Sequence, residues 1–297
     1  NIKTDKNNEQ VIKGIEKYKS RFIEIINGNS SQAKLARPFL CLSMNYLYSH
    51  DSEWVKNNLI PLFESADDDV FRQAWEGFLH TASLSPELVA TLHDSFRKAL
   101  KRVDVLHDSM RPKFAEFYAS IVVHNTNNPI SEWINPLLRV ENNELTIEFA
   151  KQLCQTIRDI DSKERQSLWN QWYKVYLENR KDNIPVIQLE DEVCSYLDGV
   201  LDFDFAFREI IDLVIQFNGI NLEHSDLLHN LIDDEKWLSY VDEVTDLLIY
   251  LADCDVESWH ETDFKKIITK FNIRDSEKFP ILDNKLRKHG IFIKEIS

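Results

Sequence analysis

Glycine and proline are scarce in this chain, and their scarcity is the strongest constraint on its fold. The 297 residues include only six glycines and eight prolines, well below the average usage of about 7% and 5%. A β-sandwich or barrel needs both residues at its many turns, and a nucleotide-binding α/β fold needs glycine-rich loops. Helical bundles and helical solenoids need neither. The sequence therefore predicts an all-α fold.

Apolar residues recur at helical spacing along most of the chain. The first such helix is predicted to end at 27–29, where Asn-Gly-Asn interrupts the pattern. Its apolar face would consist of Val11, Ile12, Ile15, Tyr18, Phe22, Ile25 and Ile26. A second stripe lies within 67–82 and contains Gly77, which close helix–helix approach would explain. Ser85-Pro86-Glu87 then provides a hydroxyl cap, an N-terminal proline and a first-turn acid for the next helix.

Further helical patterns continue almost to the C-terminus of the chain. They lie near 161–176, 189–200, 205–217, 236–252, 259–270 and 276–288. Alternation of the β type is confined to the tail, where 291–296 could form a short strand of a terminal β-hairpin. The sequence thus predicts helices with no sheet larger than such a hairpin.

A short sequence pattern that occurs twice indicates how the helices are arranged. Trp54, in Ser-Glu-Trp-Val, precedes Ile-Pro-Leu-Phe, and Trp133, in Ser-Glu-Trp-Ile, precedes Pro-Leu-Leu. The two tryptophans are 79 residues apart, close to twice the roughly 40 residues of a HEAT-type hairpin. The prediction is a stack of antiparallel helical hairpins, either a HEAT-like α-solenoid or an irregular helical array; a chance similarity in a tryptophan-rich chain is the alternative. The tryptophans predicted to be buried are Trp54, Trp75, Trp133, Trp169 and Trp172.

Charge is distributed very unevenly and suggests three regions. Residues 1–185, a predicted helical-repeat region, hold 25 acids and 24 bases. Residues 186–262 hold 20 acids and two bases, and residues 263–297, a basic helical tail, hold five acids and nine bases. We call residues 186–262 the acidic block; it is predicted to be helical and to pack on the first region.

The cysteines, the lack of a long apolar run and the N-terminal sequence indicate the cellular compartment of the chain. Cys41, Cys154, Cys194 and Cys254 are widely spaced, without the local pairs of a zinc site or a disulfide framework. Buried thiols in a reducing, cytoplasmic compartment are the favoured reading. No apolar run approaches the roughly 18 residues of a membrane span, and the polar N-terminus is unlike a signal peptide. Because the chain starts at Asn1 within a polar stretch, we expect it to be part of a longer protein.

The sequence lacks the common catalytic motifs, and it predicts no catalytic residue, cofactor or metal site. No glycine-rich phosphate loop, nucleophile elbow or kinase motif is present, and His224 and His229 have the wrong spacing for a helical zinc site. Three acidic triplets begin at Asp67, Glu190 and Asp233. They lack the alternation and glycine of a calcium loop, and acids at helix N-termini explain them. A metal-dependent enzyme with a cryptic site between helices stays as an alternative.

The acidic block favours a protein partner over nucleic acid, because its net charge of −18 repels phosphates. Its self-repulsion opposes compaction, so something basic is expected near it. The candidate contact residues are Glu190, Asp191, Glu192, Asp233, Asp234 and Glu235. The basic partner could be another protein or the chain's own tail, with its bases Lys285, Arg287, Lys288 and Lys294.

Two segments resemble a known family. They are 71–79, Phe-Arg-Gln-Ala-Trp-Glu-Gly-Phe-Leu, followed by Ser-Pro-Glu-Leu at 85–88, and 165–172, Arg-Gln-Ser-Leu-Trp-Asn-Gln-Trp. The second segment continues with Tyr176, Arg180, Pro185, Leu189 and Glu192. Over about 50–250 the chain is similar to a bacterial domain-of-unknown-function family that follows sirtuin-like domains in anti-phage defence proteins.

The resemblance implies a division of labour. A sirtuin-like domain outside this chain would consume NAD, and the helical part would sense a trigger, restrain the enzyme or mediate oligomerisation. Its partner would be that domain, a phage-encoded protein or a second copy. The alternative is a free-standing helical scaffold or adaptor without a role in defence.

Overall fold

The computed structural model describes residues 16–81, 84–218, 227–254 and 260–293. Helices dominate these ranges, and no strand occurs in them, which confirms the all-α prediction. Of the predicted tail strand, residues 291–293 are not in a strand, and 294–296 lie outside the described residues. The chain divides into two compact units, Asn1–Asn127 and Asn128–Ser297. The boundaries at 185 and 262 rest on charge and stay predictions.

The first unit contains eight α-helices within its described residues. They are α1 (16–27), α2 (Ser31–Leu42), α3 (Met44–His50), α4 (Ser52–Asn58), α5 (Ile60–Phe63), α6 (Asp68–Phe78), α7 (Pro86–Leu100) and α8 (Arg111–His124). Asp67 and Ser85 cap α6 and α7 by accepting backbone N–H bonds, as the sequence predicts. In α1, Ile26 is buried as expected, but Tyr18 is exposed. Val11, Ile12 and Ile15 lie outside the described residues.

An aromatic cluster around Trp75 forms the core of the first unit. The Trp75 ring lies 5.0 Å from Phe63, 4.8 Å from Phe96 and 5.4 Å from Phe114, all in edge-on geometry. Its indole N–H donates to the carbonyl of Phe63 at 3.2 Å, so the polar atom is satisfied within the core. Trp54, which the sequence predicts to be largely buried, is less buried than the other predicted tryptophans: it has intermediate exposure on α4, 5.9 Å from the ring of Phe22.

Gly77 explains how closely two helices of this core approach each other. A Cβ atom at this position would lie 2.2 Å from the carbonyl oxygen of Pro38 and 2.6 Å from its Cα. Only a hydrogen atom fits in that space. The close helix–helix contact inferred from the sequence is therefore present, between α6 and the middle of α2.

The second unit continues the helical architecture. Its α-helices are α9 (Asn135–Leu138), α10 (Asn143–Asp159), α11 (Ser162–Leu168), α12 (Lys174–Lys181), α13 (Glu190–Asp198), α14 (Phe207–Val214), α15 (Leu227–Asp233), α16 (Val241–Leu251), α17 (Glu261–Lys270) and α18 (Phe279–Lys288). Two π-helical segments interrupt the regular turns. Pro129–Ile134 runs into α9, and Trp169–Tyr173 joins α11 to α12. Trp133, Trp169 and Trp172 are buried, as predicted.

Helices of the second unit pack in two rows. In one row α10 packs on α13 and α15 packs on α17; in the other, α12 packs on α14, α14 on α16 and α16 on α18. Because the chain alternates between the rows, each turn of the stack is a helical hairpin. Ion pairs between successive hairpins join residues 35 or 32 apart, as in Lys174–Glu209 and Lys278–Asp246. These spacings are close to the roughly 34 residues of the shortest helical-hairpin repeats.

Candidate functional site

A fully buried ion pair lies between α12 and α13. The Arg180 guanidinium donates from Nε to Oε1 of Glu192 at 2.5 Å and from Nη2 to Oε2 at 2.9 Å. Both side chains have no solvent exposure. Taking two charges out of water costs several kcal/mol per ion, which only near-ideal geometry and further hydrogen bonds offset. The two-point contact and the bonds described next meet that condition.

Two tyrosines complete the cluster around Glu192. The Tyr196 hydroxyl donates to Oε1 of Glu192 at 2.6 Å and also contacts the hydroxyl of Tyr176. Since a hydroxyl has one hydrogen and Tyr196 gives it to the carboxylate, Tyr176 is the donor between the tyrosines. Burial, together with the Glu192 carboxylate, raises the pKa of Tyr196 well above its ordinary value. Tyr196 thus stays protonated and keeps donating.

The Arg180 side chain also fixes the loop before α13. Its Nη1 donates to the carbonyl oxygens of Ile184 and Val186 at 3.1 and 2.8 Å, on both sides of Pro185. Glu192 accepts the backbone N–H of Leu189 at 3.2 Å, at the start of α13. The buried cluster therefore positions α13 and the residues on its outer surface.

A groove of about 510 Å³ lies along α10 and α13. Its lining residues are Ile147, Lys151, Gln152, Cys154, Gln155, Arg158, Asp191, Cys194, Ser195 and Asp198. On α10 the two bases are seven residues apart, and on α13 the two acids are also seven apart. Seven residues are two helical turns, so each wall presents two charges of one sign along the groove. The groove can accept a polar, extended ligand with groups of both signs.

One end of the groove is held by ion pairing. Arg158 donates from Nε to a carboxylate oxygen of Asp202 at 3.0 Å and from Nη2 to the carbonyl of Asp198 at 3.1 Å. On the floor, burial raises the pKa of the Cys154 thiol to about 12, and its sulfur lies 3.7 Å from the Tyr173 hydroxyl. A thiol with so high a pKa is a weak nucleophile at neutral pH.

The structure separates the three predicted contact residues on α13. Glu190 and Asp191 are exposed in the first turn, where acids favour the helix dipole, and Asp191 lines the groove. Glu192 requires a correction, since it is buried with Arg180 and offers nothing to a partner. A polar pair within the apolar stripes of α12 and α13 was the available signal, because Arg180 and Glu192 lie among Leu177, Val193 and Tyr196.

The other three predicted contact residues lie at the end of α15, a helix that packs on α17. Asp233 is exposed, 3.4 Å from His229. Asp234 caps the following 3₁₀ turn by accepting the N–H of Lys236, and this bond, with the Lys236 ammonium, lowers its pKa. Glu235 is exposed in that turn. Asp234 and Glu235 thus lie at the start of a 3₁₀ turn, whereas Asp233 is the last residue of α15. All three are remote in sequence from Glu190 and Asp191 on α13.

Bases of the second unit pair with many acids of the acidic block. Arg158 bonds to Asp202, and the pairs Lys174–Glu209, Arg208–Glu243, Lys278–Asp246 and Lys285–Asp253 connect neighbouring helices. The tail therefore does dock on the acidic block through Lys285, while Arg287 pairs with Asp283 of its own helix. Lys288 is exposed, and Lys294 lies outside the described residues. Internal pairing reduces, but does not remove, the negative charge that a partner would meet.

The part of the chain that the structure describes contains neither a metal-binding cluster nor a membrane-spanning helix. There, no three histidine, cysteine or acidic side chains converge closely enough to hold a metal ion. In the same residues, no helix has the length and apolar character needed to cross a bilayer. His224 lies outside these residues.

Comparison with known proteins identifies one family. Residues 120–268 match the model of DUF4020, a domain of unknown function. The match covers half of the chain and includes the groove, the buried Arg180–Glu192 pair and the whole acidic block. No curated protein and no solved structure matches the chain.

Proposed function

This chain belongs to the DUF4020 family, and from that premise we propose that it is a non-catalytic regulatory and protein-interaction region of a bacterial anti-phage defence protein. A sirtuin-like domain outside this chain consumes NAD, and the helical array senses a trigger or restrains that enzyme. The proposed location is the cytoplasm, in keeping with four free thiols.

The groove along α10 and α13 is the observation that carries this proposal. Stacked helical hairpins create extended surfaces of this kind, which repeat proteins use to bind other proteins. Small-molecule pockets are lined mostly by apolar and aromatic side chains. This groove instead has two bases, two acids and three uncharged polar side chains among its ten lining residues. Such a lining suits a polypeptide better than a small apolar ligand.

Three cysteines and two tyrosines have pKa values that make them poorly suited to catalysis. Burial raises the pKa of the Cys41 and Cys154 thiols to about 12 and that of Cys254 to about 11. It also raises the pKa of Tyr173 and Tyr196. Catalytic nucleophiles and bases need pKa values near the working pH. These groups are shifted away from it, so their role is to complete the core.

The proposed partner is a polypeptide segment whose basic side chains face the acidic α13 wall of the groove. Exposed Glu190 and Asp191 attract it, and charge complementarity of this kind raises the association rate and is weakened by salt. The buried Arg180–Glu192 pair fixes the helix that carries both acids, so little ordering is needed on binding.

The test uses the parent protein in bacteria exposed to phage. Reversing Glu190 and Asp191 to Lys should abolish NAD depletion on infection. A matched control reverses Asp204 and Asp212, which are exposed acids of the same block outside the groove; this variant should deplete NAD normally. Normal depletion in the groove variant would show that the acidic surface is only solvated.

A second observation tests the link to NAD independently of the groove. Translating the reading frame upstream of Asn1 should reveal a sirtuin-like domain. A frame that encodes an unrelated domain, or none, would favour the free-standing scaffold and would remove the defence role.

A further inference from the structure

The α2 helix is apolar on two opposite faces. Its inner face packs on α6 and contains Ala33, Arg37, Leu40 and Cys41, and α3 continues it with Met44 and Leu47. The outer face has a second stripe, Leu35, Phe39 and Leu42, which Tyr46 continues on α3; we call these four residues the outer stripe. They recur at intervals of four, three and four residues, the spacing of one face of a helix.

The outer stripe is strongly exposed. The exposed fractions are 72% for Leu35, 69% for Phe39 and 50% for Tyr46. A surface helix of a globular protein normally has one apolar stripe and an opposite polar face, whereas a helix that is apolar all round is buried. Contiguous exposed apolar side chains mark interaction sites. In its functional state, this face of α2 is therefore covered.

The scarcity of charged residues around the outer stripe indicates which kind of surface covers it. Between Leu35 and His50 the only Lys, Arg, Asp or Glu is Arg37. Its side chain lies on the inner face, where it donates to the carbonyls of Ile26 and Gly28. Helices that lie on lipid surfaces border their apolar face with Lys and Arg, which the outer stripe lacks. Another uncharged apolar surface would be complementary to the outer stripe. A second copy of this chain has such a surface, namely its own outer stripe.

The net charge of each unit favours the same occupant. Residues 1–127 hold 16 acids and 16 bases, so the entire net charge of −15 belongs to residues 128–297. Two copies that meet through the first unit meet between neutral surfaces. Exposed charges elsewhere are screened beyond about 8 Å at physiological salt.

We infer that the outer stripe is the interface of a symmetric homodimer, in which α2 of one copy packs antiparallel on α2 of the other. Two-fold symmetry places the stripe against itself in reverse order. Leu35 then faces Tyr46 of the second copy, and Phe39 faces Leu42. Phe39, next to the symmetry axis, is the central anchor. A single helix pair is a small interface, so we expect the dimer to be weak and its population to depend on concentration.

Sedimentation velocity of the full purified chain over a range of concentrations tests this inference. The wild-type mass should rise from the 35.0 kDa of one chain towards twice that value. Phe39→Asp should weaken dimerisation by at least about 30-fold, the loss expected for a central aromatic contact. Leu42→Asp should act in the same direction. Added salt should not weaken the dimer, because no charge pair holds it together.

Ile187→Asp is the matched control, because Ile187 is 80% exposed and lies in the second unit. It should dimerise as the wild type does. Circular dichroism should show unchanged melting for Phe39→Asp, so that loss of the dimer is not loss of fold. A wild-type chain that stays monomeric would overturn the inference, as would a Phe39→Asp variant that dimerises normally. The outcome does not depend on the proposed role in defence.

Discussion

The buried Arg180–Glu192 pair shows how one residue can be placed in the wrong role by sequence alone. Glu190, Asp191 and Glu192 are equivalent in a charge count, yet the helical turn directs the third one inward. There it receives bonds from Arg180 and Tyr196 and joins α12 to α13. The candidate contact residues on this helix are consequently Glu190 and Asp191.

Removing one member of the Arg180–Glu192 pair should lower the free energy of unfolding far more than replacing both members by apolar residues. Glu192→Ala leaves a buried guanidinium without its counter-charge, and we expect a loss of about 3–5 kcal/mol in the free energy of unfolding. Replacing Arg180 by Met and Glu192 by Leu together should cost less. Denaturant unfolding measures both, with Glu190→Ala as the exposed control. A Glu192→Ala variant as stable as this control would contradict the assigned contacts.

Gly77 gives the second residue-scale prediction. In Gly77→Ala, the new Cβ collides with the backbone of Pro38, so α2 and α6 must separate. Overpacking of this kind costs about 1–3 kcal/mol or more. The control is Gly199→Ala, whose Cβ would have its nearest neighbour at 3.5 Å. Thermal melting should fall clearly for the first variant and little for the second; equal melting temperatures would refute the close approach.

At the scale of the helix, periodicity predicted most inward faces correctly. Phe71, Ala74, Trp75 and Phe78 of α6 are buried as their spacing indicates. Periodicity failed where the covering of a helix depends on distant neighbours. Trp54 on α4 and Tyr18 on α1 have the right spacing, but the structure leaves both partly exposed. The π-helical turn at Trp169–Tyr173 likewise has no local signal in the sequence.

The assignment of the inward face of α6 predicts the effect of truncating its largest side chain. Trp75→Ala removes an indole that packs against five aromatic rings and leaves the Phe63 carbonyl without its donor. The expected loss in unfolding free energy is about 3–5 kcal/mol. Trp54→Ala, a truncation of a half-buried tryptophan, should cost less. If the two variants unfolded at the same denaturant concentration, the proposed core would be misplaced.

Over the whole molecule, composition and periodicity determine the fold class, because glycine and proline scarcity and helical stripes act along the entire chain. The spacing of about 35 residues between successive hairpins is less visible in the sequence, because it is expressed in the ion pairs and packing between hairpins. The groove could not be predicted, because it joins α10 and α13, which are separated by the residues of α11 and α12. Of the candidate contact residues, only Asp191 lines it.

We propose that this chain regulates and binds, while a domain outside it consumes NAD. The most direct measurement is to incubate the purified chain with NAD and follow its concentration over time. The account predicts no depletion, because that activity is assigned to a domain outside this chain. Turnover of NAD that stays with the chain through further purification would contradict it.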